Sequence, residues 1–260
     1  MNRLLAGIVL LAILGCFCAC NNMPGRPKPG PEVPRPEEIM DFSTLYSQNC
    51  AGCHGADGQL GPATPLANPE YQALIDDATL AEIISNGQKG TRMPPFAKKG
   101  GGNLSDAQIM ALVKGIRSRW SKGDVLQGLN PPPYSTEHSG DVAHGKEVYN
   151  TQCASCHGKA EGPAGPKGSI LNGPFLALVS DQTIRTTAIV GRPDLGMPDW
   201  RSRIPGSPMT AQDITDVVAW ISSQRNADPE QHKAAQQKST PQTAISQKTV
   251  EVHSDKSTGK

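Results

Sequence analysis

Apolar positions recur at helical spacing in two long segments about a hundred residues apart. In Ser105 to Arg119 they are Ile109, Leu112, Val113 and Ile116; in Thr210 to Ser223 they are Ile214, Val217, Val218 and Ile221. Each set covers one face of a helix, and Ser105 and Thr210 stand where an N-cap belongs. Shorter helical patterns run from Asp41 to Gln48 and from Asp141 to Gln152, with middle helices through Leu80 to Ile84 and Ile184 to Ile189. The pattern predicts an all-α chain in which three helices occur twice.

The flanks read differently. After Arg3, an apolar run from Leu4 to Cys20 is shorter than the roughly 20 residues a membrane span needs, and it predicts a signal peptide over residues 1–20. Ile13-Leu14-Gly15-Cys16 resembles a bacterial lipoprotein cleavage site, which would make Cys16 the lipidated residue; Cys20, after Ala19, is a second candidate, and an ordinary cleaved signal the third reading. Residues 21–40, with six prolines, predict an extended tether, and residues 227–260 a disordered tail. Between the helical blocks, residues 123–140 predict a linker around Pro131-Pro132-Pro133.

Composition adds a difficulty: eleven aromatic residues, 4% of 260, are few for two ordinary cores. Charge adds an exclusion, because 25 basic against 24 acidic residues leave +1, with no net field to draw the chain to nucleic acid.

The cysteines supply the chemistry. Apart from Cys16, Cys18 and Cys20 in the leader, they form Cys50-Ala51-Gly52-Cys53-His54 and Cys153-Ala154-Ser155-Cys156-His157. CxxCH is the attachment sequence of a c-type haem: two thiols add to the two vinyl groups of one haem, and the next side chain reaches the iron. A zinc site or a redox disulfide would not explain a histidine directly after both pairs.

Neighbouring residues repeat with the motif. Tyr46 and Tyr149 precede it, Gly55 and Gly158 follow it, Gly61-Pro62 matches Gly165-Pro166, and Asn68-Pro69 falls beside Asn172-Gly173-Pro174. Gly87 stands six residues before Met93-Pro94, as Gly191 does before Met197-Pro198. Each half resembles a class I cytochrome c domain, over 41–122 and 141–226, and the whole resembles a diheme cytochrome c. The resemblance implies two covalently attached haems, with His54 and His157 as proximal iron ligands, Met93 and Met197 as distal ligands, and the carbonyls of Pro62 and Pro166 orienting the histidines. Met110 and Met209 compete poorly for the distal role, since both belong to the last helical runs; His138 and His144 are the alternatives for a bis-histidine site. Two haems would also supply the apolar volume that the aromatics lack.

In that family a small residue on the first helix faces an aromatic on the last. The second copy has the pair as Gly145 and Trp220, whereas the first has Phe42 and Gly115, predicting a reciprocal exchange at the crossing. Lys89, Arg92, Lys98 and Lys99 bracket Met93 and suit an acidic redox partner; the mixed charges Arg192, Asp194, Asp199, Arg201 and Arg203 near Met197 suggest a second, unlike docking face. The function implied is one-electron transfer in a bacterial envelope, on the periplasmic side of a membrane and anchored by lipid. The carrier or cytochrome subunit would stand between a quinol-oxidising complex or dehydrogenase and a terminal oxidase or reductase. The alternative is a diheme enzyme of peroxidase or thiosulfate-dehydrogenase type.

Overall fold

The computed structural model describes residues 30, 32–201 and 203–226. The expected signal peptide, Cys16, half of the tether and the tail lie outside the described residues. Ahead of Met40 a separate unit contains one 3-10 turn, Pro36–Glu38, held by a side-chain pair between Arg35 and Glu38.

From Met40 onward the chain is helical, with two isolated bridges and no strand among the described residues. The first copy contains α1 (Phe42–Asn49), α2 (Ala51–His54), α3 (Pro69–Leu74), α4 (Asp77–Asn86) and α5 (Asp106–Trp120). The second repeats them as α6 (Val142–Gln152), α7 (Ala154–His157), α8 (Gly173–Leu176), α9 (Asp181–Val190) and α10 (Ala211–Ser223). None of these helices is long and apolar enough to cross a membrane.

The caps explain where the helices begin. Asp41, Asp76, Asp141 and Ser180 each accept from backbone amides of the first turn. Ser105 and Thr210 close capping boxes with Gln108 and Asp213. The short helices α3 and α8 start on Asn68 and Asn172, each accepting from an amide three residues on, with proline in the first turn. The apolar faces predicted for α5 and α10 are buried, Leu112 and Ile214 completely.

α1 crosses α5, and α6 crosses α10, in the two copies. At the first crossing, a Cβ placed on Gly115 would lie 2.1 Å from the Phe42 ring; at the second, one on Gly145 would lie 2.0 Å from the Asp216 carbonyl oxygen and 2.8 Å from Trp220 Cβ. The reciprocal exchange of large and small residues is therefore real. Phe42 packs edge-on against Trp120, which in turn meets Tyr46 edge-to-face with ring centroids 5.0 Å apart. Alanine at position 115 gains about 1 kcal/mol of helix propensity but overpacks the Phe42 ring, which the Tyr46 and Trp120 rings flank, at about 1–3 kcal/mol. Gly115→Ala is expected to destabilise the first copy, and adding Phe42→Ala should turn the substitution at 115 favourable. A denaturant double-mutant cycle measures the reversal.

Beside the second crossing, Asp216 is buried and accepts from His144 Nδ1 at 2.7 Å, from the Asp141 amide and from Gln212. Burial alone would raise its carboxyl pKa, but these donors outweigh it and hold it low. The hydrogen bond to Asp216, with Asp213 and Glu147 nearby, raises the pKa of the half-exposed His144. The histidine's contribution is therefore complete below its unfolded pKa of about 6.5 and fades as pH rises through the raised folded value. The Asp216 contribution is complete above about 3.9 and is lost as pH falls through the lowered folded value. Melting temperature followed against pH should lose, in His144→Gln, the part of its fall that begins as pH rises above about 6.5.

The linker is fastened rather than loose. Arg185, buried on α9, donates from Nε and Nη2 to the Pro133 carbonyl at 3.0 and 2.9 Å and from Nη1 to Thr215. Gln182 holds the Tyr134 carbonyl at 2.8 Å, and Leu126 is buried.

Candidate functional site

In each copy the cysteine motif forms a single helical turn. Cys50 ends α1, its amide bonded to the Tyr46 carbonyl, and its own carbonyl accepts from Cys53 and His54 at 3.1 and 3.0 Å. Positions i, i+3 and i+4 share one side of a turn, so both thiols and the imidazole face the same way. Cys153, Cys156 and His157 repeat this, with carbonyl distances of 3.2 and 3.0 Å. All four thiols are free. Burial, with Cys53 nearby, pushes the Cys50 thiol up to about 11, and burial raises Cys153 as well. Both stay protonated at neutral pH, unlike the activated thiolate of a redox CxxC.

The loop after each histidine orients it. His54 Nδ1 lies 2.7 Å from the Thr64 carbonyl, and His157 Nδ1 lies 2.9 Å from that of Gly168. A carbonyl only accepts, so Nδ1 carries the proton and Nε2 presents its lone pair to a metal. Burial lowers both imidazole pKa values and favours this neutral form, with Arg192 acting in the same direction on His54. These acceptors correct the expectation for Pro62 and Pro166. In both copies the residue after the proline bonds back to the second cysteine, Ala63 to Cys53 and Lys167 to Cys156. That bond directs the carbonyl two residues past the proline to the ring; the prolines shape the turn instead.

Tyr46 and Tyr149 donate to the carbonyls of Gly55 and Gly158 at 2.7 and 2.8 Å, which gives the repeated tyrosine its role. Gly55 has φ +83°, and a Cβ there would meet the Gln59 carbonyl oxygen at 1.9 Å.

The methionine loops follow from a glycine as well. α4 and α9 end on Gly87 and Gly191, with φ of +67° and +69°. A Cβ on either would stand 2.6 Å from the carbonyl oxygen of Met93 or Met197. The Gln88 amide donates to Met93 O at 3.1 Å, and Arg192 and Met197 exchange two backbone bonds of 2.9 Å. Both methionines are half-buried. The competitors are engaged elsewhere: Met110 is exposed, Met209 lies in the core with its amide on Trp200 O, His138 is exposed and His144 holds Asp216.

Haem would bring two propionate carboxylates, and the second site has a group to meet them. Arg203 is largely buried beside Cys153 and Cys156, its Nε without a partner among the described residues and its Nη2 on the Ala188 carbonyl at 3.3 Å. Asp199 acts on it only at a distance, with no direct ion pair among the described residues, so this desolvated cation fits an anionic ligand group. With four free thiols and two neutral imidazoles, the donor set suits haem.

The mixed charges near Met197 do not form a free docking face. Arg192 and Asp194 are buried together against Leu60 and Gly61 of the first copy, and Arg201 bonds Glu70 at 3.0 Å. Asn68 adds a buried bond to the Val190 carbonyl. No local pattern announces this seam, because its partners are more than 120 positions apart.

Two stretches, 37–114 and 140–221, match the family described as cytochrome c oxidase, cbb3-type, subunit III. Over 139 residues the chain is 30% identical to dihydro-heme d1 dehydrogenase of Pseudomonas aeruginosa, covering 51% of this chain and 24% of that protein. It is 29% identical to the cbb3-type cytochrome c oxidase subunit CcoP of Azospirillum sp. (strain B510), covering 49% and 43%. It is 24% identical to the cytochrome bc1 complex cytochrome c subunit of Corynebacterium diphtheriae, covering 71% and 66%. The chain thus spans between 24% and 66% of the length of these relatives.

Proposed function

Because the chain belongs to the family of cbb3-type cytochrome c oxidase subunit III, whose domain it contains twice, we propose that it is a diheme electron carrier and not itself an enzyme. The observation that carries this reading is the repeated one-turn motif: two thiols and a neutral imidazole on one side, with Nδ1 fixed by a carbonyl. Cys50 and Cys53, and Cys153 and Cys156, would form the thioether bonds. His54 and His157 would hold the iron through Nε2, and the thioethers of Met93 and Met197 would be its other protein ligands. Bound there, each haem supplies a one-electron couple, and methionine ligation raises its potential.

The chain's own part is rigidity. Carbonyls fix both imidazoles, Gly87 and Gly191 let helix ends pack against the Met-Pro peptides, and Tyr46 and Tyr149 tie the loops after the histidines. With a histidine and a methionine both engaged in a packed site, a haem held there would change little on gaining an electron and would offer no position for a substrate. One relative is named as a dehydrogenase, but the match covers 24% of it.

Donor and acceptor are redox proteins of a respiratory chain, the class to which the CcoP and bc1 relatives belong by name. Lys89, Arg92, Lys98 and Lys99 are all exposed around Met93 and suit an acidic partner there. An anchor at Cys16 would hold the domains on the periplasmic side of a bacterial membrane.

Pyridine haemochrome assay of the matured protein should give two c-type haems per chain, and a haem-stained native gel of mild-detergent membrane extract should place it among respiratory proteins. Fewer than two haems would remove the ligand assignment. Turnover of peroxide or thiosulfate by the isolated protein would replace the carrier with an enzyme.

A further inference from the structure

The loop between His54 and Thr64, which orients the first imidazole, is gripped by two residues of the other copy. Arg192 Nη2 donates to the Gly61 carbonyl at 2.8 Å, and the neighbouring Leu60 amide donates to Asp194 Oδ2 at 2.9 Å. Leu60 is the only non-glycine residue with positive φ among those described, at 64°, so the loop is held in a conformation a leucine disfavours. The gripping pair is itself fixed. Arg192 reaches Asp194 with Nε at 2.9 Å and Nη2 at 2.8 Å, and their side chains are 12% and 3% exposed. Arg192 is tied through its backbone to Met197, and the charge of its guanidinium is felt at His54.

We infer that Arg192 and Asp194 are positioning residues acting across the repeat: they belong to the second copy, yet they hold the His54 loop and set the reduction potential of the first haem. The inference rests on the ligand assignment above. Its physical basis is that a buried, closely paired cation and anion act on a neighbouring redox centre with little solvent screening. Removing one leaves the other uncompensated. An uncompensated carboxylate favours the ferric state, and an uncompensated guanidinium favours the ferrous state.

The test is a spectroelectrochemical titration of the full diheme protein in four forms: wild type, Arg192→Gln, Asp194→Asn and the double variant. The wave of the first haem is identified as the one that Met93→His lowers. Arg192→Gln should lower the potential of that haem, Asp194→Asn should raise it, and the double variant should lie between them. Arg192→Lys, which keeps the charge, should stay nearer to wild type than Arg192→Gln. A merely structural seam would loosen the same loop in every variant and shift the wave in one direction. Shifts of equal sign, or none, in a protein that still carries two haems would overturn the inference. A haem count below two, or a Met93→His variant that moves neither wave, would overturn the ligand assignment itself.

Discussion

Cys50→Ala combined with Cys53→Ala is expected to leave one haem per chain and to unfold the first copy while the second stays folded. Few residues can replace what is lost. The core of the first copy draws on Leu45, Tyr46, Leu66, Tyr71, Leu80, Ile109, Leu112, Val113 and Ile116, with Phe42 only half-buried. A domain of about 80 residues is marginal on burial alone, and the covalent haem is a large apolar part of its interior. Binding that occurs only in the folded state contributes directly to folding free energy. Calorimetry should therefore show the first transition lost and the second retained, with some reduction because the seam at Asn68, Glu70 and Gly61 no longer forms. The equivalent pair Cys153→Ala and Cys156→Ala should give the mirror result. Loss of both transitions in either variant would mean that the copies fold as one unit.

Gly191→Val should be the most damaging single substitution near the second iron. Two costs add. A β-branched residue at φ +69° and ψ −171° enters a backbone region essentially restricted to glycine, at about 1–3 kcal/mol, and its Cβ would stand 2.6–2.7 Å from Met197 O and from the carbonyl carbon and oxygen of Pro198. Backbone atoms cannot move aside as a flexible side chain would. The Met-Pro peptide must shift, and the total cost is about 3 kcal/mol or more. The functional consequence follows from the same shift: Met197 leaves the iron, the long-wavelength ferric absorption of methionine ligation disappears and the potential of that haem falls. An unchanged absorption spectrum would separate Met197 from the iron. Gly87→Val should do the same at Met93, where the closest contact is also 2.6 Å.

Much of this arrangement was written locally in the sequence. The cysteine motifs and the capping residues of the long helices depend on neighbours within a turn, and local patterns carry such information; the glycine six residues before each methionine and the exchange of Phe42 with Gly115 were legible because the two copies align with each other. The short helices α3 and α8 were not among the predicted ones: six and four residues are too few to show a period, and the signal that could have found them is the asparagine before a proline-containing first turn. The histidine acceptors fell two residues past the expected prolines because the bond from Ala63 or Lys167 to the second cysteine decides the turn, and no propensity reveals it. Arg185, Arg192 and Asp194 were least legible. In sequence they look like solvated charges, and their burial depends on carbonyls and amides supplied by distant segments.

The exchange at the helix crossings bears on how a tandem protein avoids assembling wrongly. Two similar copies on one chain invite exchange, with the first helix of one docking on the last helix of the other, a hazard common to repeat proteins. Here neither mismatch fits. Phe42 against Trp220 would place two bulky aromatics where one is accommodated, and Gly145 against Gly115 would leave a hole with no side chain to close it. Either would weaken the crossing by kilocalories, on the order of 1–3 for overpacking and 2–5 for an unfilled core position. The copies carry complementary keys, so each first helix is selected by its own last helix during folding.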